Sequence, residues 1–261
     1  MINSRQNSKI KQIRAMKQRK HRTASGLFVV EGLHHVGEAL EADAKLEYVV
    51  YTPELLGNEF GQQLIDNLNN KGIPCYETDA EILTGLSDKD NPQGLLAVAK
   101  QTNTMLSNLT AQSSPWIVAL VEPQDPGNLG TIMRTIDSVG ASALVIIGEG
   151  VDIYHPKAVR ASMGSLFWHP VIRASFSEFA DWASKSKYHV YGSTSNGGEQ
   201  VQGNLGVAHP SVLLLGSERE GLSAAHLEMC ERVFQIPMQG RATSLNLAVA
   251  AGVLLYAMQP A

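Results

Sequence analysis

The chain has 261 residues, of which 44% are hydrophobic and 18% are charged, and its formal net charge is −4. This composition is typical of a globular protein with one large domain or two small ones, and it excludes disordered and fibrous chains. The two cysteines, Cys75 and Cys230, have no CxxC spacing, and the eight histidines form no HxxxH or HExxH pattern, so the sequence predicts neither a disulfide framework nor a metal site.

Basic residues are concentrated at the start of the chain. Residues 1–22 hold eight Lys or Arg and no Asp or Glu, whereas the whole chain has 21 basic and 25 acidic residues. Such a segment favours contact with a polyanion, and RNA or DNA phosphate is the usual one. Two other interpretations fit the same residues: a solvated helix face whose thin apolar stripe is Ile10, Ile13 and Met16, or an organellar targeting peptide.

Apolar runs and polar helical stretches alternate over residues 1–100. The predicted strands are LFVVEG, LEYVVYT, IPCYET and GLLAVAK, and the predicted helical stretches include HHVGEALEA and ELLGNEFGQQLIDNLNNK. This alternation predicts a small α/β domain. The next stretch, residues 101–114, is rich in Thr, Ser, Asn and Gln and is followed by Pro115, which indicates a linker.

A second α/β region is predicted over residues 115–261. Its strands are WIVALVE, ALVIIG, WHPVIRA, HVYGSTS, SVLLLGSE and VFQIPM, and it ends in the helix SLNLAVAAGVLLYAM. Buried, mostly parallel strands are expected, with ligands at their carboxyl ends. The apolar part of the last helix is shorter than the ~20 residues that a membrane span needs, and the N-terminus lacks the apolar core of a signal peptide. We therefore expect a cytoplasmic protein that does not enter a membrane.

Polar turns follow three of these strands, in the segments VEPQDPGNLGTIMRT, LLLGSEREGLS and QIPMQGRATSLNLAVAAG. Each turn alone also fits an ordinary helix start, with Asn128, Ser223 or Ser244 as the N-cap. Three polar strand ends in one parallel sheet, however, are expected to converge on one crevice. No GxxxxGK[ST] or GxSxG motif occurs, and the glycines after ALVIIG form an incomplete dinucleotide fingerprint.

Together with DIYHPKAVRASMGSLF, these three segments resemble the ordered motifs of the SpoU (TrmH-type) family of RNA ribose 2′-O-methyltransferases. Residues 1–100 resemble the substrate-binding domain that many members carry. The resemblance implies an α/β fold: a C-terminal domain with a mostly parallel sheet flanked by helices, a trefoil knot in that domain, and a smaller N-terminal α/β domain. Such a knot is a rare exception to the rule that chains do not thread loops.

The resemblance also implies S-adenosylmethionine as cofactor and a set of site residues. The expected cofactor-binding residues are Thr194, Gly216, Ile236, Met238 and Leu245. The expected catalytic and RNA-contacting residues are Asn128, Arg134, Glu218, Ser244 and Asn246. No metal is expected.

Arg134 is the residue that the resemblance assigns to the ribose hydroxyl. A guanidinium stays protonated in proteins and is a poor general base, so we expect Arg134 to orient the hydroxyl and a phosphate by forked hydrogen bonds. The phosphate or Glu218 would then assist proton removal. Alternatively, Glu218 forms a salt bridge that only holds Arg134, and Ser244 and Asn246 only cap a helix.

The implied partners are RNA and a second copy of the chain. Ribosomal RNA, with 23S rRNA foremost, is favoured over tRNA because of the N-terminal domain. A homodimer through the catalytic domain is expected, because the last helix carries the apolar run Val253, Leu254, Leu255 and Tyr256. The alternatives are a tRNA 2′-O-methyltransferase, a catalytically silent RNA-binding factor for ribosome assembly, and a nicotinamide-dependent enzyme.

Overall fold

A computed structural model of the chain describes residues 1–57, 59–87 and 91–259. The chain forms two compact units, and each consists of two stretches of sequence. The first contains Met1–Thr102 and Tyr154–Trp168, and the second contains Asn103–Ile153 and His169–Ala261. The limits 1–100, 101–114 and 115–261 inferred from the sequence remain a prediction.

The N-terminal stretch folds into six helices and four strands within the described residues. They are α1 (Ser8–Ala15), α2 (Arg19–Ser25), β1 (Leu27–Glu31), α3 (Leu33–Glu41), β2 (Leu46–Tyr51), α4 (Pro53–Leu56), α5 (Glu59–Asn70), β3 (Cys75–Glu77), α6 (Ala80–Thr84) and β4 (Leu95–Lys100). The sheet order is β1-β4-β2-β3, with β4 antiparallel to β1 and β2, and β2 parallel to β3. All four predicted strands are therefore present.

The helix predicted over residues 54–71 is interrupted. The helix α4 ends before Gly57, which has φ +65°, and α5 begins at Glu59; position 58 lies outside the described residues. A positive φ favours glycine and does not occur inside a right-handed helix, so Gly57 ends the first helix. The apolar periodicity continues across this break and does not reveal it.

The basic N-terminal segment is part of the folded first unit. Ile10, Ile13 and Met16 are buried and pack in the same core as residues of β2 and β4. The stripe that the sequence shows is therefore the buried face of α1. Among the cations, Arg22 is 2% exposed and donates a hydrogen bond to the carbonyl of Met16 at 2.6 Å, and Lys9 lies over the ring of Tyr48.

The second half of the chain contributes the following elements: β5 (Trp116–Val121), α7 (Pro126–Val139), β6 (Ala143–Ile147), α8 (Pro156–Ala161), α9 (Ser165–Trp168), β7 (Val171–Ala174), α10 (Phe176–Lys185), β8 (His189–Ser193), β9 (Glu199–Gln200), β10 (Ser211–Leu215), α11 (Ala224–Glu228), β11 (Arg232–Gln235) and α12 (Leu247–Ala257). Seven strands form one sheet in the order β7-β6-β5-β10-β8-β11-β9, and every pairing is parallel. The predicted α/β class with a parallel sheet is confirmed. The trefoil knot stays a prediction.

The central strands of this sheet are buried along their whole length. Every residue of β5, β6 and β10 is buried, as expected for parallel strands with both faces covered. The six predicted strands are present, and the two-residue strand β9 was not predicted. Its short, polar sequence carries no apolar signal.

The segment Tyr154–Trp168, which holds α8 and α9, belongs to the first unit. The hydroxyl of Tyr154 accepts a hydrogen bond from the backbone N–H of Thr102 at 2.9 Å. At the other end of the segment, Trp168 Nε1 donates to Glu38 Oε2 at 2.8 Å. This stretch carries one of the motifs on which the family resemblance rests, yet it packs with the N-terminal strands and helices.

The last helix, α12, is apolar on every side but only partly buried. Leu254 and Leu255 are fully buried, whereas Val253 and Tyr256 are 40% and 56% exposed. The two leucines of this apolar run are therefore buried within the chain itself, and the homodimer through this helix stays a prediction. Across the described ranges, no helix is long and apolar enough to span a membrane.

Candidate active site

A cavity of about 570 Å³ opens beyond the carboxyl ends of β8, β10 and β11. Parallel strands bring their carboxyl ends to one edge of the sheet, and ligand crevices form there. Eight of the ten residues predicted for the site line this cavity: Thr194, Gly216, Glu218, Ile236, Met238, Ser244, Leu245 and Asn246. The volume lies within the range of about 300–1,000 Å³ that is typical of small-molecule sites.

Glu218, just beyond β10, holds the turn that precedes α7. One carboxylate oxygen accepts the backbone N–H of Gln124 at 3.1 Å, and the other accepts the backbone N–H of Asp125 at 3.4 Å and Asn128 Nδ2 at 3.1 Å. Within the described part of the chain, no ion pair joins Glu218 to Arg134. The carboxylate therefore positions the 124–128 turn directly, and the alternative of a salt bridge that holds Arg134 is not present among these contacts.

Asn128 and Asn246 connect the first motif to the third. Asn246 Nδ2 donates to Asn128 Oδ1 at 3.0 Å. Asn246 also caps α12, because its Oδ1 accepts the backbone N–H groups of Ala248 at 2.9 Å and Val249 at 3.4 Å. Glu218, Asn128 and Asn246 thus form one continuous hydrogen-bonded chain across three separate segments.

One helix cap differs from the prediction. The N-cap of α7 is Asp125, whose carboxylate accepts the backbone N–H of Asn128 at 2.9 Å, and Pro126 occupies the first turn. Asp is as good an N-cap as Asn, and Pro is favoured at the first helical position, so the helix begins three residues earlier than predicted. Asn128 therefore keeps its side chain free for Glu218. Of the two caps considered for α12, Ser244 and Asn246, the structure has Asn246. The predicted cap Ser223 is correct.

The predicted cofactor residues give the cavity a wall of backbone and apolar side chains. A Cβ on Gly216 would collide with the backbone of Gly221, so the close approach of these two residues within the loop after β10 requires glycine. Ile236 and Met238 are half-buried, and Leu245 is 36% exposed. The hydroxyl of Thr194 donates to the carbonyl of Asn196 at 3.0 Å and stabilises the turn beside the cavity.

Arg134 and Ser244 make no side-chain hydrogen bond or ion pair within the described residues. Arg134 is exposed on α7, six residues after Asn128, and it is not among the residues that line the cavity. Ser244 is exposed and lines the cavity. Both polar groups are therefore available to a ligand, unlike Glu218 and the two asparagines.

The remaining reactive groups near the sheet edge do not suggest another chemistry. Burial raises the pKa of the Cys230 thiol to about 11, and this thiol donates to the carbonyl of His226 at 3.2 Å. It therefore stays protonated near neutral pH and is a poor nucleophile. Among the described residues, no group of three or more His, Cys, Asp or Glu side chains is arranged to hold a metal ion.

Sequence reasoning missed a second set of polar residues next to this cavity. Asn196, Gln200, Gln239 and Arg241 line an adjoining cavity of about 510 Å³. Gln239 and Arg241 lie inside the third motif segment, but nothing in their spacing separates them from an ordinary polar loop. Asn196 and Gln200 follow β8, and only the pairing of β9 with β11 brings them to the same edge.

The sequence and the fold resemble those of known rRNA methyltransferases. The chain is 32% identical over 256 residues to the 23S rRNA (guanosine(2553)-2′-O)-methyltransferase RlmP of Bacillus subtilis, covering 98% of this chain and 97% of that protein. It is 31% identical over 245 residues to the 23S rRNA (uridine(2479)-2′-O)-methyltransferase of Streptomyces viridochromogenes, covering 91% and 84%. The crystal structure of an AdoMet-bound rRNA methyltransferase from Sinorhizobium meliloti superimposes with a TM-score of 0.87 at 34% identity, covering 98% and 95%.

Family models match both halves of the chain. Residues 7–97 match the MRM3-like substrate binding domain, and residues 115–256 match the SpoU rRNA Methylase family. The second match contains the three strand ends whose side chains meet in the crevice, so the predicted family is confirmed. The chain belongs to the SpoU rRNA methylase family.

Proposed function

We propose that this protein transfers the methyl group of S-adenosylmethionine to a ribose 2′-hydroxyl of RNA, and that the RNA is 23S ribosomal RNA. The observation that carries the proposal is the hydrogen-bonded chain of Glu218, Asn128 and Asn246 beside the 570 Å³ cavity. It brings three motif segments to one sheet edge: Glu218 and Asn246 line the cavity, and Asn128 lies in the helix that carries Arg134.

The methyl donor is S-adenosylmethionine, and the cavity suits it. Ile236, Met238 and Leu245 supply apolar contacts, while the close approach of Gly216 to Gly221 leaves main-chain groups at the cavity wall. Sites for small cofactors combine such apolar walls with a few fixed polar groups. When bound, the cofactor supplies an electrophilic methyl group on sulfur.

Arg134 and Ser244 are the proposed contacts to the ribose. A ribose hydroxyl is a poor nucleophile, so it must be aligned with the methyl group and must lose its proton during attack. The guanidinium of Arg134 binds the hydroxyl oxygen and a neighbouring phosphate through forked hydrogen bonds. The new O–C bond forms as the C–S bond breaks, and the hydroxyl proton leaves to the phosphate or to water.

Glu218 is proposed as a positioning residue. Its two oxygens accept three hydrogen bonds from the 124–128 turn, which fixes the start of the helix that carries Arg134. Because Asn128 also receives Asn246 Nδ2, the same network fixes the start of α12. Proton removal is not assigned to this carboxylate.

The choice of ribosomal RNA over tRNA rests on the relatives and on the first unit. The two relatives above act on 23S rRNA at a guanosine and at a uridine, at similar identity to this chain. The residues that match the MRM3-like substrate binding domain, 7–97, are not among the described residues that line the cofactor cavity. A protein that modifies ribosomal RNA works where ribosomes are assembled, and we place it in the cytoplasm on that ground.

The proposal is tested with the full-length protein, tritiated S-adenosylmethionine and separated 23S rRNA, 16S rRNA and tRNA. We expect label in 23S rRNA at a single nucleotide that resists alkaline cleavage, because a 2′-O-methyl group blocks attack by that oxygen. The same position should lack the modification in a deletion strain. Label in tRNA alone would favour a tRNA enzyme, and RNA binding without transfer would favour a silent assembly factor.

We also propose a homodimer through α12. Val249, Val253 and Tyr256 are 52%, 40% and 56% exposed and lie on one face of the helix at helical spacing. Adjacent exposed apolar residues of this kind mark interaction surfaces. Sedimentation velocity should show a dimer that Val253→Glu converts to a monomer, whereas Phe60→Glu, at a 52% exposed position in the first unit, should leave it intact.

A further inference from the structure

The cavity beside the proposed cofactor site is a separate compartment with a different lining. It measures about 510 Å³ and shares the wall residues Ser195, Met238, Thr243 and Ser244 with the 570 Å³ cavity. The two cavities therefore adjoin at these residues, and Ser244 is next to the proposed position of the ribose. A polymer whose ribose lies at Ser244 is within reach of both.

Four side chains in this second cavity have unused hydrogen-bonding capacity. Asn196, Gln200, Gln239 and Arg241 are exposed, and their side chains make no hydrogen bond or ion pair within the described residues. By contrast, Gln235 in the same wall donates from Nε2 to the carbonyl of Ser195 at 3.0 Å and is occupied. Three amides and one guanidinium thus point to a ligand rich in donors, acceptors and negative charge.

The charge of the cavity fits an anion. None of the described residues that line it is Asp or Glu. The nearest carboxylate in sequence, that of Glu199, is paired with Arg232 at 2.6 Å, and this hydrogen bond lowers the pKa of Glu199. Arg241 therefore has no acidic neighbour in the wall to neutralise it.

We propose that this cavity binds a single-stranded ribonucleotide adjacent to the one that is methylated. The inference rests on the proposed function. Amide side chains form paired hydrogen bonds with base edges, and Arg241 forms a forked contact with a phosphate. The target is unpaired, because the major groove of double-stranded RNA is too deep and narrow for side chains and its minor groove is recognised mostly by shape, whereas single strands present their base edges openly.

The cofactor does not account for this second cavity. The first cavity alone has the size of a small-molecule site and already contains every residue predicted for the cofactor. S-adenosylmethionine carries no phosphate, so its single carboxylate is the one anionic group that it could present to the Arg241 guanidinium. The free amides and the guanidinium are better matched to the RNA strand that the reaction requires.

The test compares Gln239→Ala and Arg241→Ala with the control Lys185→Ala, which removes an exposed positive charge on α10, outside both cavities. We expect each test variant to raise the KM for 23S rRNA and the Kd of that RNA in filter binding roughly tenfold, the effect of about 1.4 kcal/mol. The Kd for S-adenosylmethionine should not change, and the control should behave as the wild type.

Salt dependence separates the two kinds of contact. Arg241→Ala should flatten the slope of log K against log salt by about 0.7, the value for one phosphate contact to a single strand, while Gln239→Ala should leave the slope unchanged.

Three results would overturn the inference: RNA affinity unchanged in both variants, a parallel loss of cofactor affinity, or dissociation of a dimer, which would make a second copy the occupant. If the wild type binds RNA but transfers no methyl group, the proposed function fails, and filter binding still tests the cavity.

Discussion

The crevice of the second unit and the N-terminal helices of the first unit each contain a group of polar residues that the sequence does not distinguish from one another. In both regions, the structure shows that some of these side chains bind other protein groups and that others do not. In the crevice, Glu218, Asn128 and Asn246 bind one another, whereas Arg134 and Ser244 have no protein partner in the described part of the chain. The network residues hold the site, and the other two are free to contact a ligand.

The N-terminal helices show the same division without a network. Arg22 is buried and bound to a carbonyl, whereas Lys11, Arg14 and Lys20 are exposed, and their side chains have no ion pair or hydrogen bond among the residues described. The two regions differ in whether their polar residues depend on one another. Loss of one member of the crevice network affects three segments at once, whereas each N-terminal cation acts alone.

The largest effect is expected at Arg134. Replacement by Ala should reduce turnover on the order of a hundredfold or more, the range for a positioned catalytic group, because the ribose hydroxyl loses its orienting contact. Tm and the Kd for S-adenosylmethionine should stay at wild-type values, since Arg134 binds no protein group. Arg134→Lys should restore little, because one ammonium cannot make a forked contact. Single-turnover methylation and thermal melting measure both effects.

A folded Arg134→Ala protein that methylates RNA at a near-normal rate would remove this residue from the catalytic set. If Arg134→Ala instead lowered both Tm and the affinity for S-adenosylmethionine, and Arg134→Lys restored them, Arg134 would have a structural role. None of the contacts described for its side chain supports such a role.

An intermediate effect is expected at Glu218. In Glu218→Gln, one oxygen becomes an NH2 group that faces N–H donors of the 124–128 turn, so at least one hydrogen bond is lost at about 0.5–1.5 kcal/mol. We expect a lower Tm and roughly tenfold lower kcat/KM, as the helix start carrying Arg134 loosens. Glu228→Gln, on an exposed face of α11, is the matched control.

The hydrogen-bonded network also predicts that the effects of Glu218→Gln and Asn128→Ala are coupled. Combined with Asn128→Ala, Glu218→Gln should show a coupling free energy of about 0.5–3 kcal/mol in unfolding, as expected for residues of one hydrogen-bonded network. Strict additivity would contradict the network. Wild-type Tm with abolished turnover in Glu218→Gln would make Glu218 the general base.

The smallest effects are expected at the exposed N-terminal cations. Lys11→Ala, Arg14→Ala and Lys20→Ala should each flatten the slope of log K against log salt for RNA binding by about 0.7 to 0.9, and the three changes should add. Tm should not move. Arg22→Ala should lower Tm and leave the salt slope unchanged, because a hydrogen bond from a charged group contributes about 1.5–3 kcal/mol to the fold. An unchanged slope in the triple variant would exclude this surface from RNA binding.

The fold was largely predictable because its strands are short, buried apolar runs bounded by turn residues. The site was predictable where a strand end determines it: Gly216 and Glu218 follow β10 and must lie at the sheet edge. The start of α7 was placed wrongly because Asp125, Pro126 and Asn128 are all good start signals, and only the backbone hydrogen bonds select among them.

Contacts between distant segments were not predictable from local pattern. The pairing of Asn246 with Asn128 joins residues far apart in sequence, and each residue alone is indistinguishable from a helix cap. The division of the N-terminal cations has the same origin, because the burial of Arg22 depends on how α2 packs and not on its own sequence. Periodicity determines which face of a helix is buried but does not determine what covers it.

The inclusion of Tyr154–Trp168 in the first unit has a consequence for synthesis. The N-terminal strands and helices cannot complete their packing when Thr102 has been made, since Trp168 and Tyr154 are still to be added. At translation rates of about 5–20 residues per second, synthesis from residue 103 to Trp168 imposes a delay of roughly 3 to 13 s. During this interval the first unit waits on the ribosome with part of its surface uncovered, so its final packing follows the synthesis of β5, α7 and β6.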